Sequence, residues 1–570
     1  VSSESVSTAT GGLRNVADVV SRAATQAGDR TALVFRDTSL TWAELDAKVD
    51  DAAAALRLLA RRAGDRVAIA LPNGLDFATT FFGALRAGLV AIPVNPSYTG
   101  WELQHLLGDS GARVLVATGG VAKAATALAG ELPQLAHIVV AGKAASLPGG
   151  DADGGPRTQT LSGLLAEAAG AVPADPPADP PADQPADPRP DRGGEDLAVL
   201  LYTSGVSGRP KGAMLSHRAM LANLQQCARI EPPVLRADDV VLLVLPLFHV
   251  YGLGPGLCLV AYYACTGVLV ERFDPVDTLA LLQRHRVSVV SGAPPMFTAW
   301  SLMPDFAESF AGVRLAVSGA APLDPAAQRR LLDTTGQYVF EGYGLTETCP
   351  VVTTTLMSAE PKPGSVGQPI PGVELRLVDV VSGADLDLDG DSDDDEHPGG
   401  GSEPGEIVVR GTNLFSGYWP DGREGPDDDG WWRTGDVGYL DDDGDLFLSD
   451  RIKELILVSG FNVYPREVED VLLAHADVVE AGVIGVPHPY TGETVKAFLV
   501  LAEGASLDAE DVVAHCEQRL ARFKCPTAVE FVDELPHSAT GKVRKAQLRA
   551  EALVASGAAG AAATSDESAG

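Results

Sequence analysis

Short apolar runs alternate with amphipathic stretches along most of the chain, at the spacing of strand and helix units. Residues 66–71 (Arg-Val-Ala-Ile-Ala-Leu) read as a buried strand and 77–87 as the helix after it, the rhythm of layered sheets, so the expected fold class is α/β. The run 197–202 predicts another strand, followed by a polar, glycine-punctuated loop and a helical pattern opening near Ser216. No charged residue occurs from Val240 to Val270, long enough to raise the question of a membrane span. Pro246, His249, Gly252, Gly254, Pro255 and Gly256 interrupt that run, so a strand, a loop and a buried helix are expected instead. Further on, a turn at 441–445 precedes a short strand at 446–448. Pro465 suits the first turn of a helix running from 467 to 475, and strands are expected at 481–486 and 495–501.

Two stretches break the rhythm. Residues 172–194 repeat Pro-Ala-Asp with Pro-Pro breaks, a composition that stays extended and cannot build a core, and is read as a disordered surface insertion. Residues 385–396, within an acidic, Gly-rich insertion at about 383–405, fit the EF-hand loop template, with Asp385, Asp387, Asp389, Gly390 and Glu396 in ligand positions. Strand-like residues before it and Gly-Gly-Gly at 399–401 after it leave no flanking helices, so an enlarged acidic hairpin connection is expected rather than a calcium site. The last twenty residues, 551–570, rich in Ala, Gly and Ser, are expected to form a loose tail.

At 570 residues and 45% hydrophobic content the chain exceeds one typical domain. Its formal charge of −34, from 43 basic and 77 acidic residues, repels nucleic acid and the anionic face of a membrane at long range. The six cysteines (227, 258, 265, 349, 516 and 525) form no C-x-x-C pair and have no histidine partner at zinc spacing. A reducing cytoplasm is expected, and the first ten residues show no basic region followed by an apolar stretch, which argues against secretion.

Candidate chemistry concentrates in residues 202–212, Tyr-Thr-Ser-Gly-Val-Ser-Gly-Arg-Pro-Lys-Gly. Gly205, Gly208 and Gly212 allow tight turns that bring N–H groups to an anion, Thr203, Ser204 and Ser207 offer hydroxyls, and Lys211 a compact charge. This is a phosphate-handling loop, but not a Walker A sequence. Further blocks follow: Pro246 to Gly252, Ser318 to Leu323, Glu341 to Glu347, Gly405-Glu406-Ile407 leading to Gly417-Tyr418-Trp419, Trp432 to Asp436, Asp450 to Glu454, and Pro536 to Lys542. In this order they resemble the adenylate-forming superfamily, which includes acyl-CoA synthetases, coumarate-CoA ligases, luciferases and the adenylation domains of peptide synthetases. The resemblance extends over roughly residues 15 to 550. One departure is Val206, where the family usually has Ser or Thr, which removes a hydroxyl from the phosphate loop.

The resemblance implies a large AMP-binding domain of layered sheets and helices (1–449) and a small mobile α+β domain (450–550), with Asp450 as the hinge. It implies ATP and CoA as co-substrates, Mg²⁺ as cofactor, and a carboxylic acid as the third small molecule. Thr203, Ser204, Gly205, Ser207, Gly208 and Lys211 would hold the triphosphate, with Thr346 at the α-phosphate and Glu347 on Mg²⁺. Gly319, Ala320, Ala321, Glu341, Gly342 and Tyr343 would enclose the adenine, and Asp436 the ribose, assisted by Arg451. Arg451 and Lys453, with Lys211 and Lys542, are the basic residues that offset the acidic chain locally. Lys542 would close over the reacting carboxylate and α-phosphate. His249, Tyr251 and Gly252 belong to the acyl pocket, and Arg272, Ser459 and Gly460 to the CoA path, although coumarate-type ligases often carry Lys at the position of Ser459. The apolar wall 250–263 and the turn 291–296 look like those of fatty acyl ligases. Aryl-CoA ligation, transfer to a carrier protein as in fatty acyl-AMP ligases, and a regulatory nucleotide-binding protein with poor catalysis remain the alternatives. Peripheral membrane contact and a monomer or homodimer both stay open.

Overall fold

The computed structural model describes residues 12–142, 155–170, 192–203, 210–380, 382–386, 402–451, 454–458, 461–488, 491–538 and 541–552. These fall into two compact units. The first contains the described residues up to 203 together with 210–374 and 410–432, and the second those of 375–409 and 433–552.

The first unit holds two sheets. One runs in the order Arg157–Thr160, His137–Val140, Val114–Ala117, Arg66–Ala70, Val90–Pro93, Leu197–Thr203, Lys211–Ser216. All neighbours pair in parallel except the last two, which form an antiparallel hairpin. The helices Trp42–Leu59 and Leu75–Arg86 pack together, burying Trp42, Phe77, Phe81 and Phe82. Thr41 starts the first of them by accepting from the Glu44 N–H while the Glu44 carboxylate accepts from Thr41, a reciprocal cap that satisfies two otherwise unpaired donors. The expected strand and helix around residues 66–87 are therefore present.

The second sheet of this unit includes the parallel strands Val339–Gly344, Leu315–Ser318, Val289–Gly292, Val240–Leu243, Thr266–Leu269 and Thr31–Phe35, in that order. Of these only a strand within the uncharged run 240–270 was expected from the sequence. Beside the sheet, Phe297, Trp300, Phe306 and Phe310 form an aromatic cluster with ring centroids 4.5 to 5.7 Å apart. The uncharged run resolves into the strand Val240–Leu243, a wide helical turn Gly252–Cys258 that contains Pro255, the helix Leu259–Tyr263 and the strand Thr266–Leu269. Among the described residues no helix is long and apolar enough to cross a membrane.

In the second unit the strands Trp431–Leu440 and Leu446–Arg451 pair antiparallel around the expected turn, placing Asp436 opposite Arg451 and Val437 opposite Asp450. The expected short strand thus continues through Asp450. The helix Pro465–Leu473 packs on the strand Val478–His488, which pairs antiparallel with Gly492–Leu501; a helix and two strands are the elements expected here from the sequence. Of the insertions, 172–191 and 387–396 lie outside the described residues. The elements flanking the acidic stretch are strands, Val373–Val378 and Gly405–Gly411, and Asp385 is paired with Arg376 at 3.1 Å. The helices of an EF-hand are absent from these described flanks.

Candidate active site

The first group of candidate residues is set by the hairpin. Thr203 and Lys211 face each other across its open end, so the strands bring the two ends of the phosphate-type loop together; Ser204, Gly205, Ser207 and Gly208, with Val206, lie outside the described residues. The sequence reading ran this loop straight to a helix near Ser216. The helix is there, His217–Cys227, with Ser216 accepting from the Ala219 N–H at 3.1 Å, but the strand Lys211–Ser216 comes first. That strand gains an outer neighbour: the Met214 N–H donates to the Gly417 carbonyl at 3.1 Å, and the Trp419 N–H to that of Gly212 at 2.8 Å. Tyr418 is thereby carried to Lys211, whose Nζ lies 5.1 Å from its ring centroid. The same Nζ sits 2.6 and 2.8 Å from the two carboxylate oxygens of Glu424. Glu424 adopts φ +57°, a left-handed backbone that non-glycine residues seldom take and that costs about 1–3 kcal/mol.

The second group gathers at the carboxyl ends of the parallel strands, where open α/β sheets bind ligands. Leu315–Ser318 leads into Gly319, Ala320 and Ala321, with Ala320 at φ +73°. Val339–Gly344 contains Glu341, Gly342 and Tyr343. Glu341 is buried, and its carboxylate accepts the Leu323 N–H at 3.0 Å, tying the 319–323 loop to the neighbouring strand. Thr346 and Glu347 follow in a single helical turn. Glu347 is 7% exposed and its Oε1 accepts the Tyr418 hydroxyl at 2.6 Å. Among the described residues no cluster of three or more His, Cys, Asp or Glu could cage a metal. An oriented carboxylate fits Mg²⁺, which is usually held by one or two carboxylates together with substrate phosphates.

The acyl-pocket candidates follow the strand Val240–Leu243. Asn73, buried, donates to the Leu245 carbonyl at 2.9 Å and accepts the Leu247 N–H at 2.8 Å, pinning the segment that leads to His249. His249 Nδ1 accepts the Tyr251 N–H at 3.3 Å, which makes Nδ1 the unprotonated ring nitrogen. The Tyr251 phenol is pushed well above its ordinary range by burial. A side chain at Gly252 would run into the Pro246 carbonyl, and one at Gly319 would come within 2.9 Å of the Tyr251 ring. The nucleotide-loop and acyl candidates are therefore in direct contact through Gly319 and Tyr251. Arg272 lies exposed beyond the strand Thr266–Leu269.

The second unit carries the remaining candidates. Asp436 is buried, in the middle of Trp431–Leu440, and its N–H donates to the Thr434 hydroxyl at 3.1 Å. Lys542 is exposed on a tight turn: its carbonyl accepts the Ser538 N–H at 2.8 Å and its N–H donates to the Ser538 hydroxyl at 3.1 Å, with Gly541 at φ +82°. Lys453, Ser459 and Gly460 lie outside the described residues, and Asp450 and Arg451 are placed by backbone register alone. Sequence reasoning missed Asn73 and Glu424, and quoted Tyr418 without giving it a role; none has a local signal, because each is defined by a partner more than 70 positions away.

Comparison with known proteins matches this arrangement. The sequence pattern of the AMP-binding enzyme family matches residues 20–419, and that of the AMP-binding enzyme C-terminal domain matches 467–542. The long-chain-fatty-acid–CoA ligase of Salmonella typhimurium is 34% identical over 95% of this chain and 95% of its own length. A feruloyl-CoA synthase of Amycolatopsis is 35% identical over 91% of this chain and 95% of its own. Among solved structures, ATP-bound MatB from Rhodopseudomonas palustris superposes with a TM-score of 0.79 at 31% identity, covering 94% of this chain and 99% of that one. The chain belongs to the AMP-binding, adenylate-forming enzyme family, with both the large and the C-terminal portions present, and falls within its acyl-CoA ligases.

Proposed function

We propose that the protein is an AMP-forming fatty acid–CoA ligase. The observation that carries this reading is the uncharged run from Val240 to Val270, most of it buried, in a chain similar end to end to long-chain-fatty-acid–CoA ligases. An apolar wall without a buried acid favours an aliphatic tail over an amino acid.

A carboxylate is a poor electrophile, and adenylation converts one of its oxygens into part of a leaving group. The carboxylate attacks the α-phosphorus of ATP, the bond to the β-phosphate oxygen breaks and pyrophosphate departs. CoA thiolate then attacks the acyl carbonyl and AMP leaves. Lys211 and the loop opening at Thr203 hold the triphosphate, and Glu347 would hold Mg²⁺, which would neutralise phosphate charge. Thr346 contacts the α-phosphate. The 319–321 loop and Glu341 to Tyr343 enclose the base, Asp436 binds the ribose, and Lys542 stabilises charge developing in the first step. His249 and Tyr251 line the acyl side, and Arg272 serves CoA.

The feruloyl-CoA synthase relative favours a second reading, aryl-CoA ligation. A panel of fatty and aromatic acids, assayed for pyrophosphate release with and without CoA, separates the two. Dodecanoate and longer acids are expected to give the highest kcat/KM, with thioester formed only when CoA is present. A preference for cinnamic-type acids would replace the fatty reading, and product that stays as acyl adenylate in the presence of CoA would refute CoA transfer.

A further inference from the structure

The lysine of the hairpin and the buried Glu347 are joined by one side chain, that of Tyr418. Its hydroxyl donates to Glu347 Oε1 at 2.6 Å, and its ring centroid lies 5.1 Å from Lys211 Nζ. The backbone is built to deliver it there. Tyr418 bridges to Ala213 in the hairpin, and Gly417 before it takes φ +88°, where a side chain would collide with the backbone of Gly422. Phe415 adds a second tie, its N–H donating to the Glu347 carbonyl at 2.9 Å, so the turn bearing Glu347 and the segment bearing Tyr418 are held at two points. We propose that Tyr418 is a positioning residue for the magnesium–triphosphate. Its hydroxyl engages one oxygen of Glu347 and fixes the plane of the carboxylate, so that cation binding does not have to order a freely rotating side chain. Its ring faces the lysine that meets the phosphates and keeps the two charges in register.

This rests on reading Glu347 as the Mg²⁺ ligand, and the experiment separates the two. The full chain is titrated calorimetrically with the β,γ-methylene analogue of ATP, with and without Mg²⁺. Glu347→Gln is expected to abolish the Mg²⁺-dependent gain in affinity. Tyr418→Phe, which keeps the ring, is expected to reduce that gain about tenfold while leaving affinity without Mg²⁺ within about twofold. Tyr418→Phe added to Glu347→Gln is expected to change nothing further. Tyr418→Gln, which keeps a donor without the ring, should retain more of the gain than Tyr418→Leu. Thioester formation from a supplied acyl adenylate, which involves no triphosphate, should run at the wild-type rate in Tyr418→Phe. If Glu347→Gln keeps the full gain, the metal assignment fails. If Glu347→Gln loses it and Tyr418→Phe does not, or if Tyr418→Phe weakens binding equally with and without Mg²⁺, the positioning role of Tyr418 is overturned.

Discussion

Replacing Lys542 by Ala should remove the first half-reaction and leave the second. The fold gives little reason for a stability change. The turn at Lys542 is held by its own backbone carbonyl and N–H against Ser538, both kept in Ala, and the side chain is exposed. The unfolding free energy should stay within about 0.5 kcal/mol of wild type, the usual range for surface substitutions. Chemistry should respond on another scale. Losing one group aimed at charge that develops in a transition state typically costs about 10²- to 10³-fold, or about 2.7–4 kcal/mol. Single-turnover pyrophosphate release from fatty acid and ATP should therefore fall by that factor. Conversion of a supplied acyl adenylate to thioester should remain within about twofold. Lys542→Arg should recover only part of the loss, because a planar guanidinium cannot take the place of a compact ammonium. Adenylation at the normal rate, or an equal fall in both half-reactions, would refute the assignment of Lys542.

Val206→Thr should lower the KM for ATP, by no more than the roughly tenfold that about 1.4 kcal/mol supplies, since it restores a hydroxyl at a position where the family usually has one; an unchanged or raised KM refutes this. Deleting 174–191, or replacing 385–396 with a short Gly/Ser turn, should leave activity and its response to calcium unchanged, and tight calorimetric calcium binding lost on the second change would restore the EF-hand reading. His217 gives a pH dependence: burial, and then the charge of Arg192, lower its pKa from 6.5 to about 4, while its Nδ1 accepts the Val16 N–H at 3.1 Å. Because the unfolded chain binds this proton first, the contribution is complete above about pH 6.5 and is lost as pH falls toward 4, on the order of 3 kcal/mol in all. Thermal unfolding of His217→Asn should lose less stability over that window than wild type does, and parallel curves would refute the assignment.

What could be read from the chain follows from the range over which each signal acts. The parallel strands at Arg66–Ala70 and Leu197–Thr203 announce themselves because their central residues, Val67 to Ala70 and Ala198 to Leu201, are apolar and buried on both faces. Helix starts at Ser216 and Pro465 are fixed by residues within one turn of the break, and both expectations held. The strand Lys211–Ser216 did not declare itself. It opens on Lys-Gly and abuts the helix start, and its pairing with Leu197–Thr203 and with the segment around Tyr418 is tertiary. Glu347 could be picked out by motif, but the hydroxyl that orients it comes from 71 positions away. Glu424 is less visible still, an acidic residue in a polar stretch, defined by a strained backbone and by a lysine 213 positions distant. The described flanks of the acidic stretch are strands on both sides, as its sequence neighbours suggested, and 387–396 itself lies outside the described residues.

The two acidic contacts beside the hairpin differ in what nucleotide binding asks of them. Lys211 and Glu424 are 36% and 63% exposed, so solvent screens the pair and holds its worth to no more than about 1 kcal/mol, comparable with the strain at Glu424. A triphosphate carrying several charges can displace such a partner readily, and Glu424 can turn into water when it does. Glu347 is 7% exposed and its link to Tyr418 is a short, charge-assisted hydrogen bond, so releasing it would leave a buried carboxylate less satisfied. The lysine is therefore free to exchange partners while the carboxylate is held still. That division suits a site in which a flexible chain of phosphates must first be captured and then aligned against a metal. On the proposed reading, a chain with a net charge of −34 can still bind a polyanion, because salt screens charges spread over the surface at long range, whereas an exchangeable cation such as Lys211 acts at close range.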